Sequence, residues 1–271
     1  MNNKAKVDYY PNILQSLGIV GIAILLMIIF SPVNVILNDM VGNELSFLLY
    51  YLLSFGTTLG IAHWQRRKIT SSNTYDLSFG SIQLMTLISL STIGIYIGIA
   101  VPIVNSLHMP EFMQEIMLQL ASQKGIFSFI TIVIAAPLIE EFIFRGIILD
   151  GLLRKHSPIK SILISSILFG IVHLNPWQFI SALILGVFSG WVYYRTRKLI
   201  FSILIHSVNN LIGFISFYLI DMETIMDVSI FEFYGGIANM AIIISVAIIV
   251  AIVGIYLSNK EMMKINIKGT K

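Results

Sequence analysis

Long apolar runs follow one another along this chain, separated by short polar turns. A helix that crosses a bilayer needs about 20 predominantly apolar residues. The pattern predicts eight such spans, at 13–36, 45–64, 82–104, 126–149, 161–174, 177–194, 199–220 and 233–257. The fifth is short and ends at "HLNPW", where Asn175-Pro176 predicts a tight turn. The fifth and sixth runs therefore also read as one hairpin. Between spans three and four, residues 111–124 read as an amphipathic helix lying in the interface. The expected fold is all-α, a polytopic membrane bundle of about eight transmembrane helices. Its expected divisions are an N-terminal part (1–124), a core (125–220) and a last span with its tail (221–271).

Composition agrees with this pattern. The 271 residues are 56% hydrophobic and only 11% charged, against roughly 25% charged in soluble domains. Without cysteine there is no disulfide, thiolate metal site or cysteine nucleophile. No small-residue cleavage site follows the first apolar run, so it reads as an uncleaved span.

Charge sets the expected orientation. Alternate loops hold Lys4 and Lys6; Arg66, Arg67 and Lys68; Arg154, Lys155 and Lys160; Arg195, Arg197 and Lys198; and Lys260, Lys264, Lys268 and Lys271. These are 15 of the 17 basic residues. Opposite loops hold Lys124, and the loop after span seven carries Asp221, Glu223, Asp227 and Glu232. Positive loops stay cytoplasmic, so both termini are expected inside an integral protein of the cell membrane. The basic excess reports loop placement, and no nucleic-acid partner is expected.

Within span four lies "EEFIFR", with Glu140, Glu141 and Arg145. Its 15 Ile, Leu, Val and Phe residues favour insertion by about 4 to 9 kcal/mol. Three central charges oppose it by roughly 8 to 10 kcal/mol. The charges must therefore pair, face the bundle interior or change protonation state. Glu141 and Arg145, four apart, share a helix face in the favourable acid-first order. Glu140 lies about 140° from Arg145 and is left over, free to meet another helix or a water. Pro137 adds a missing backbone donor, expected to leave the Val133 carbonyl bare. Such backbone is tolerated at depth only against protein or a wet cavity.

Two later spans carry a histidine at depth. "FGIVH" sets Phe169 and His173 on one face, and "HSVNN" sets His206 and Asn210 on one face. Counting about 1.5 Å per residue, Glu140, His173 and His206 fall within roughly 8 Å of a common depth. His63, His108 and His156 lie at span ends or in loops and read as solvated. "GVFSG" (Gly186, Gly190) reads as a close-packing small-xxx-small pattern.

In order, Glu-Glu-x-x-x-Arg, Phe-x-x-x-His and His-x-x-x-Asn on successive late spans resemble the CPBP family, the CAAX protease and bacteriocin-processing (Abi) proteins. The resemblance covers roughly residues 125–217. It implies an intramembrane endopeptidase acting on a membrane-tethered peptide or protein. Glu140 would be the base that activates water, and His173 would help hold that water. His206 and Asn210 would donate to the oxyanion, while Glu141, Arg145 and Phe169 would support the site. Zinc stays open: Glu140, His173 and His206 form a plausible three-ligand set, and descriptions of the family divide between metal and glutamate mechanisms. Two rival readings are a secondary transporter and a non-catalytic scaffold. Spans one to three carry none of these polar groups, which argues against the repeat symmetry common in transporters.

Overall fold

The computed structural model describes residues 9–219 and 228–269. Lys4, Lys6, Asp221, Glu223, Asp227 and Lys271, and the Lys268 side chain, on which part of the expected charge pattern rests, lie outside the described residues. The described residues form ten helices: α1 (Ile13–Val41), α2 (Asn43–Thr70), α3 (Ile82–Asn105), α4 (Glu111–Ser122), α5 (Ile126–Leu153), α6 (Pro158–Ile171), α7 (Pro176–Thr196), α8 (Leu199–Leu219), α9 (Ile230–Phe233) and α10 (Ile237–Gly269). No strand occurs among the described residues. Among the described residues, seven helices are long and apolar enough to cross a membrane. The protein is an all-α polytopic membrane protein.

The predicted fifth span is the exception. α6 has 14 residues, about 21 Å of helix against a hydrocarbon slab of about 30 Å. Pro158 opens it, and Leu174 stops the chain beyond it with a φ of 55°. Asn175 then caps α7, accepting from the backbone N–H groups of Trp177 and Gln178, with Pro176 at the first helical position. α6 and α7 form the hairpin that the short run allowed. A Cβ on Gly186 would lie 2.9 Å from the Ser166 side chain, so "GVFSG" is the close-packing face. The last span starts at Ile237 rather than Phe233, because Gly235 and Gly236 take φ values of 71° and 110°.

α5 lies at the centre. Ile147, Ile148 and Leu152 are fully enclosed, packed with Leu84 and Ile88 of α3 and Phe201 and Ile205 of α8, and Leu149 packs with Ile162, Tyr193 and Leu199. α1 and α10 turn Leu25, Ile28, Ile29, Ile242, Val246 and Ile249 outward, as lipid-facing helices do. α3 and α10 touch almost backbone to backbone, since a Cβ at Gly94 would sit 2.6 Å from the Ala247 carbonyl oxygen.

Three basic loops meet on one face. Asp150, at the end of α5, lies 3.6 Å from Arg66, 3.4 Å from Arg154 and 3.4 Å from Arg197. Lys155 donates to the Tyr9 hydroxyl at 2.7 Å. α10 runs antiparallel to α3, with Ala247 beside Gly94 and Gly254 beside Ser91, so its C-terminal end returns to that face. The segment after α2 is pinned there: the Leu199 N–H donates to the Asp76 carbonyl, and Tyr75 packs edge-on to Phe142. His63, expected to be solvated, is half-buried and shares a 2.9 Å hydrogen bond with the Tyr75 hydroxyl.

Candidate active site

The site grows out of irregularities in α5. Two stretches, Ile130–Ala135 and Phe142–Leu149, are wound as π-helix and flank an ordinary turn, Ala136–Glu141. Such segments are rare and often mark functional sites. In the first, bonds skip five residues, as from the Ala136 N–H to the Thr131 carbonyl. Continued by one residue, that register asks Pro137 to serve Ile132, and proline has no N–H. The bare carbonyl is therefore that of Ile132, not Val133 as a plain α-helix would predict. It is satisfied from another span, for Asn210 of α8 donates its side-chain N–H to it at 2.8 Å.

Next along α5 come the carboxylates. Glu141 and Arg145 are both fully buried, with Nη1 and Oε1 3.1 Å apart. This N–H is not aimed at the oxygen. Charge and the Phe169 face, 4.5 Å from the guanidinium, hold Arg145 more than hydrogen bonding does. Glu141 Oε1 also meets His206 Nδ1 at 3.1 Å, and its Oε2 accepts from the Ser189 hydroxyl at 3.2 Å. One carboxylate thus joins α5, α7 and α8.

Glu140 points elsewhere. It is 5% exposed, and its Oε1 accepts from the Tyr51 hydroxyl of α2 at 2.7 Å. Its Oε2 has no hydrogen-bond partner among the described residues. The leftover acid thus meets another helix while keeping one oxygen open. Tyr51, itself buried and stacked on Phe55 at 4.7 Å, corrects the expectation that spans one to three contribute no polar group.

Phe169 joins the histidines. Its ring lies 5.2 Å from that of His173 and 5.4 Å from that of His206, both edge-on. His173, just past the end of α6, holds its Nδ1 2.8 Å from the Phe169 carbonyl. A carbonyl only accepts, so Nδ1 carries the proton and Nε2 of the neutral ring is the acceptor.

The zinc set does not assemble. Among the described residues no three His, Asp or Glu side chains converge as a metal site. As placed, Glu140, His173 and His206 do not gather into a zinc site.

Sequence reading missed Tyr51 and Ser189. A tyrosine six residues into an apolar run looks like an interfacial anchor, and Ser189 lies inside the packing pattern "GVFSG". Only tertiary contact distinguishes them.

Comparisons with known proteins bear on this arrangement. Residues 122–212 match the family described as type II CAAX prenyl endopeptidase Rce1-like. That segment includes the whole motif set from Glu140 to Asn210, and the resemblance to the CPBP family holds over it. The chain is 37% identical over 89 residues to the UPF0177 protein YxdF of Lactococcus lactis subsp. lactis (strain IL1403), covering 32% of this chain and 49% of that protein. It is 35% identical over 77 residues to the protein named "Putative membrane peptidase YdiL" of Bacillus subtilis (strain 168), covering 28% of this chain and 32% of that protein. The match thus spans about half the length of the first relative and about a third of the second. No solved structure matches the chain.

Proposed function

We propose that this protein is an intramembrane endopeptidase that hydrolyses a peptide bond of a membrane-tethered peptide or protein, with Glu140 as general base. The observation carrying this reading is the open Oε2 of Glu140, a buried carboxylate oxygen without a protein partner beside a fully engaged second carboxylate. The match of residues 122–212 to a peptidase family supports the same class of chemistry.

In this reading a water bound at Oε2 gives its proton to Glu140 and attacks the scissile carbonyl. The tetrahedral oxyanion is met by His206 and Asn210, and Glu140 returns the proton to the leaving amine. Base catalysis of this kind contributes about 10² to 10⁴ in rate, and one oxyanion donor about 10² to 10³. His173 Nε2, an acceptor, holds the second hydrogen of the water. His206 donates Nδ1–H to the ion-paired Glu141, so a hydrogen bond from its Nε2 to the oxyanion requires the doubly protonated ring. Asn210 spends one N–H on Ile132 and keeps the second for the substrate. Tyr51 fixes the rotamer of Glu140, while Glu141, Arg145 and Phe169 position the histidines.

Residues 125–220 form the catalytic core in this scheme, with 1–124 and 221–271 completing the bundle. The positive-inside rule places the basic face in the cytoplasm. The test compares peptide fragments in membranes holding the wild type or Glu140→Gln. Fragments present only with wild type identify substrates, whereas identical fragment sets from two equally inserted proteins refute the assignment.

A further inference from the structure

The Asn210 amide is gripped a second time, by its own neighbour in the chain. Asn209 of α8 meets it at 3.2 Å, side-chain nitrogen to side-chain oxygen. Adjacent helical residues point about 100° apart, so this contact needs the two side chains to turn toward each other. Chemistry fixes the direction of the bond. The Ile132 carbonyl only accepts, so an N–H of Asn210 faces it, 2.8 Å away. The Asn210 oxygen is then left to Asn209, which must be the donor. Asn209 is half-buried, and this is its side chain's one hydrogen bond among the described residues. A planar side-chain amide has three polar corners, one oxygen and two N–H groups. With the oxygen held by Asn209 and one N–H by Ile132, the third corner has a fixed aim.

We propose that Asn209 is a positioning residue for peptide-bond hydrolysis, setting the Asn210 amide so that its free N–H meets the oxyanion. This rests on the endopeptidase reading above, with Asn210 as an oxyanion donor. Ile132 alone would hold the amide by one bond and leave it free to pivot. Asn209 adds the second point that stops the pivot. Donation into Oδ1 also draws electron density from the amide nitrogen, and hydrogen bonds in a chain polarise one another. The remaining N–H becomes a stronger donor. Both effects count most when negative charge has developed on the substrate oxygen, so they act on the transition state more than on substrate binding. His206, the other group assigned to the oxyanion, is fixed separately by Glu141.

The test has two readouts on the full chain in micelles. The first is NMR of side-chain amides in protein isotope-labelled at asparagine nitrogen, with Asn210→Ala identifying the Asn210 signals. Asn209→Leu, similar in size but without a donor, is expected to shift them. The second is cleavage of a peptide carrying a site found by the Glu140→Gln comparison. Asn209→Leu is expected to lower kcat by about tenfold, the worth of one hydrogen bond, with KM nearly unchanged. On an Asn210→Ala background the same change adds no further loss. Unmoved Asn210 signals, undiminished kcat, or a loss that persists in full without the Asn210 side chain overturn the proposal. Two failures separate cleanly. Cleavage that survives Glu140→Gln removes the endopeptidase reading and this role with it. An inactive Glu140→Gln beside a fully active Asn209→Leu removes the positioning role alone.

Discussion

At Glu140, one carboxylate oxygen is tied and the other is open, which makes its substitutions informative. Glu140→Gln keeps volume and the Tyr51 contact but removes the proposed base. Cleavage is expected to fall by about 10² to 10⁴ with the unfolding midpoint nearly unchanged, as read by peptide turnover and a thermal melt. Tyr51→Phe loses one hydrogen bond to a charged group and should slow cleavage by roughly tenfold. Glu141→Gln behaves differently, because it strands the fully buried Arg145 charge. A loss of about 3–5 kcal/mol is expected, seen as poor yield and a lower midpoint. Adding Arg145→Met should recover stability without recovering activity. The split between the two acids was legible in the sequence, since four and five residues of helix fix which one faces the arginine. The Tyr51 contact was not, because 89 residues separate it from Glu140 and no local pattern encodes such a meeting.

Helix α5 departs from its regular form where Pro137 breaks the backbone ladder. The sequence revealed the proline but not the π-type winding before it, so the orphaned carbonyl was displaced by one residue, from Val133 to Ile132. Asn210→Ala should cost about 1–3 kcal/mol by exposing that carbonyl. On a Pro137→Ala background, where an N–H returns, the same change should cost less. A double-mutant cycle of unfolding midpoints measures the difference, and strict additivity would argue that the two sites do not share this bond. Span boundaries followed hydrophobic length wherever turn residues were distinct. They failed for α6, whose apolar run outlasts its helix, and for α10, whose apolar pattern crosses the Gly235-Gly236 break.

Across the whole molecule, charge asymmetry, not sequence length, organises the bundle. Three of the basic loops read from the sequence meet at Asp150. The chain has no cysteine, so single-cysteine variants report sidedness directly. Ser72→Cys on the basic face should react with a membrane-impermeant maleimide only in inverted vesicles, and Ser229→Cys only in right-side-out ones. The opposite pattern would reverse the orientation. Fold class and span order were legible because bilayer thickness limits apolar length. The route by which α2 joins the site was not, since it depends on how outer helices wrap the inner ones. The Asn210 to Ile132 bond has a mechanical consequence here. It acts as a dowel between α5 and α8, spans that share no connecting loop, and sliding either past the other would strand two polar groups in hydrocarbon. A thicker or thinner bilayer must therefore be met by tilting the peripheral α1 and α10, leaving the inner pair in fixed vertical alignment.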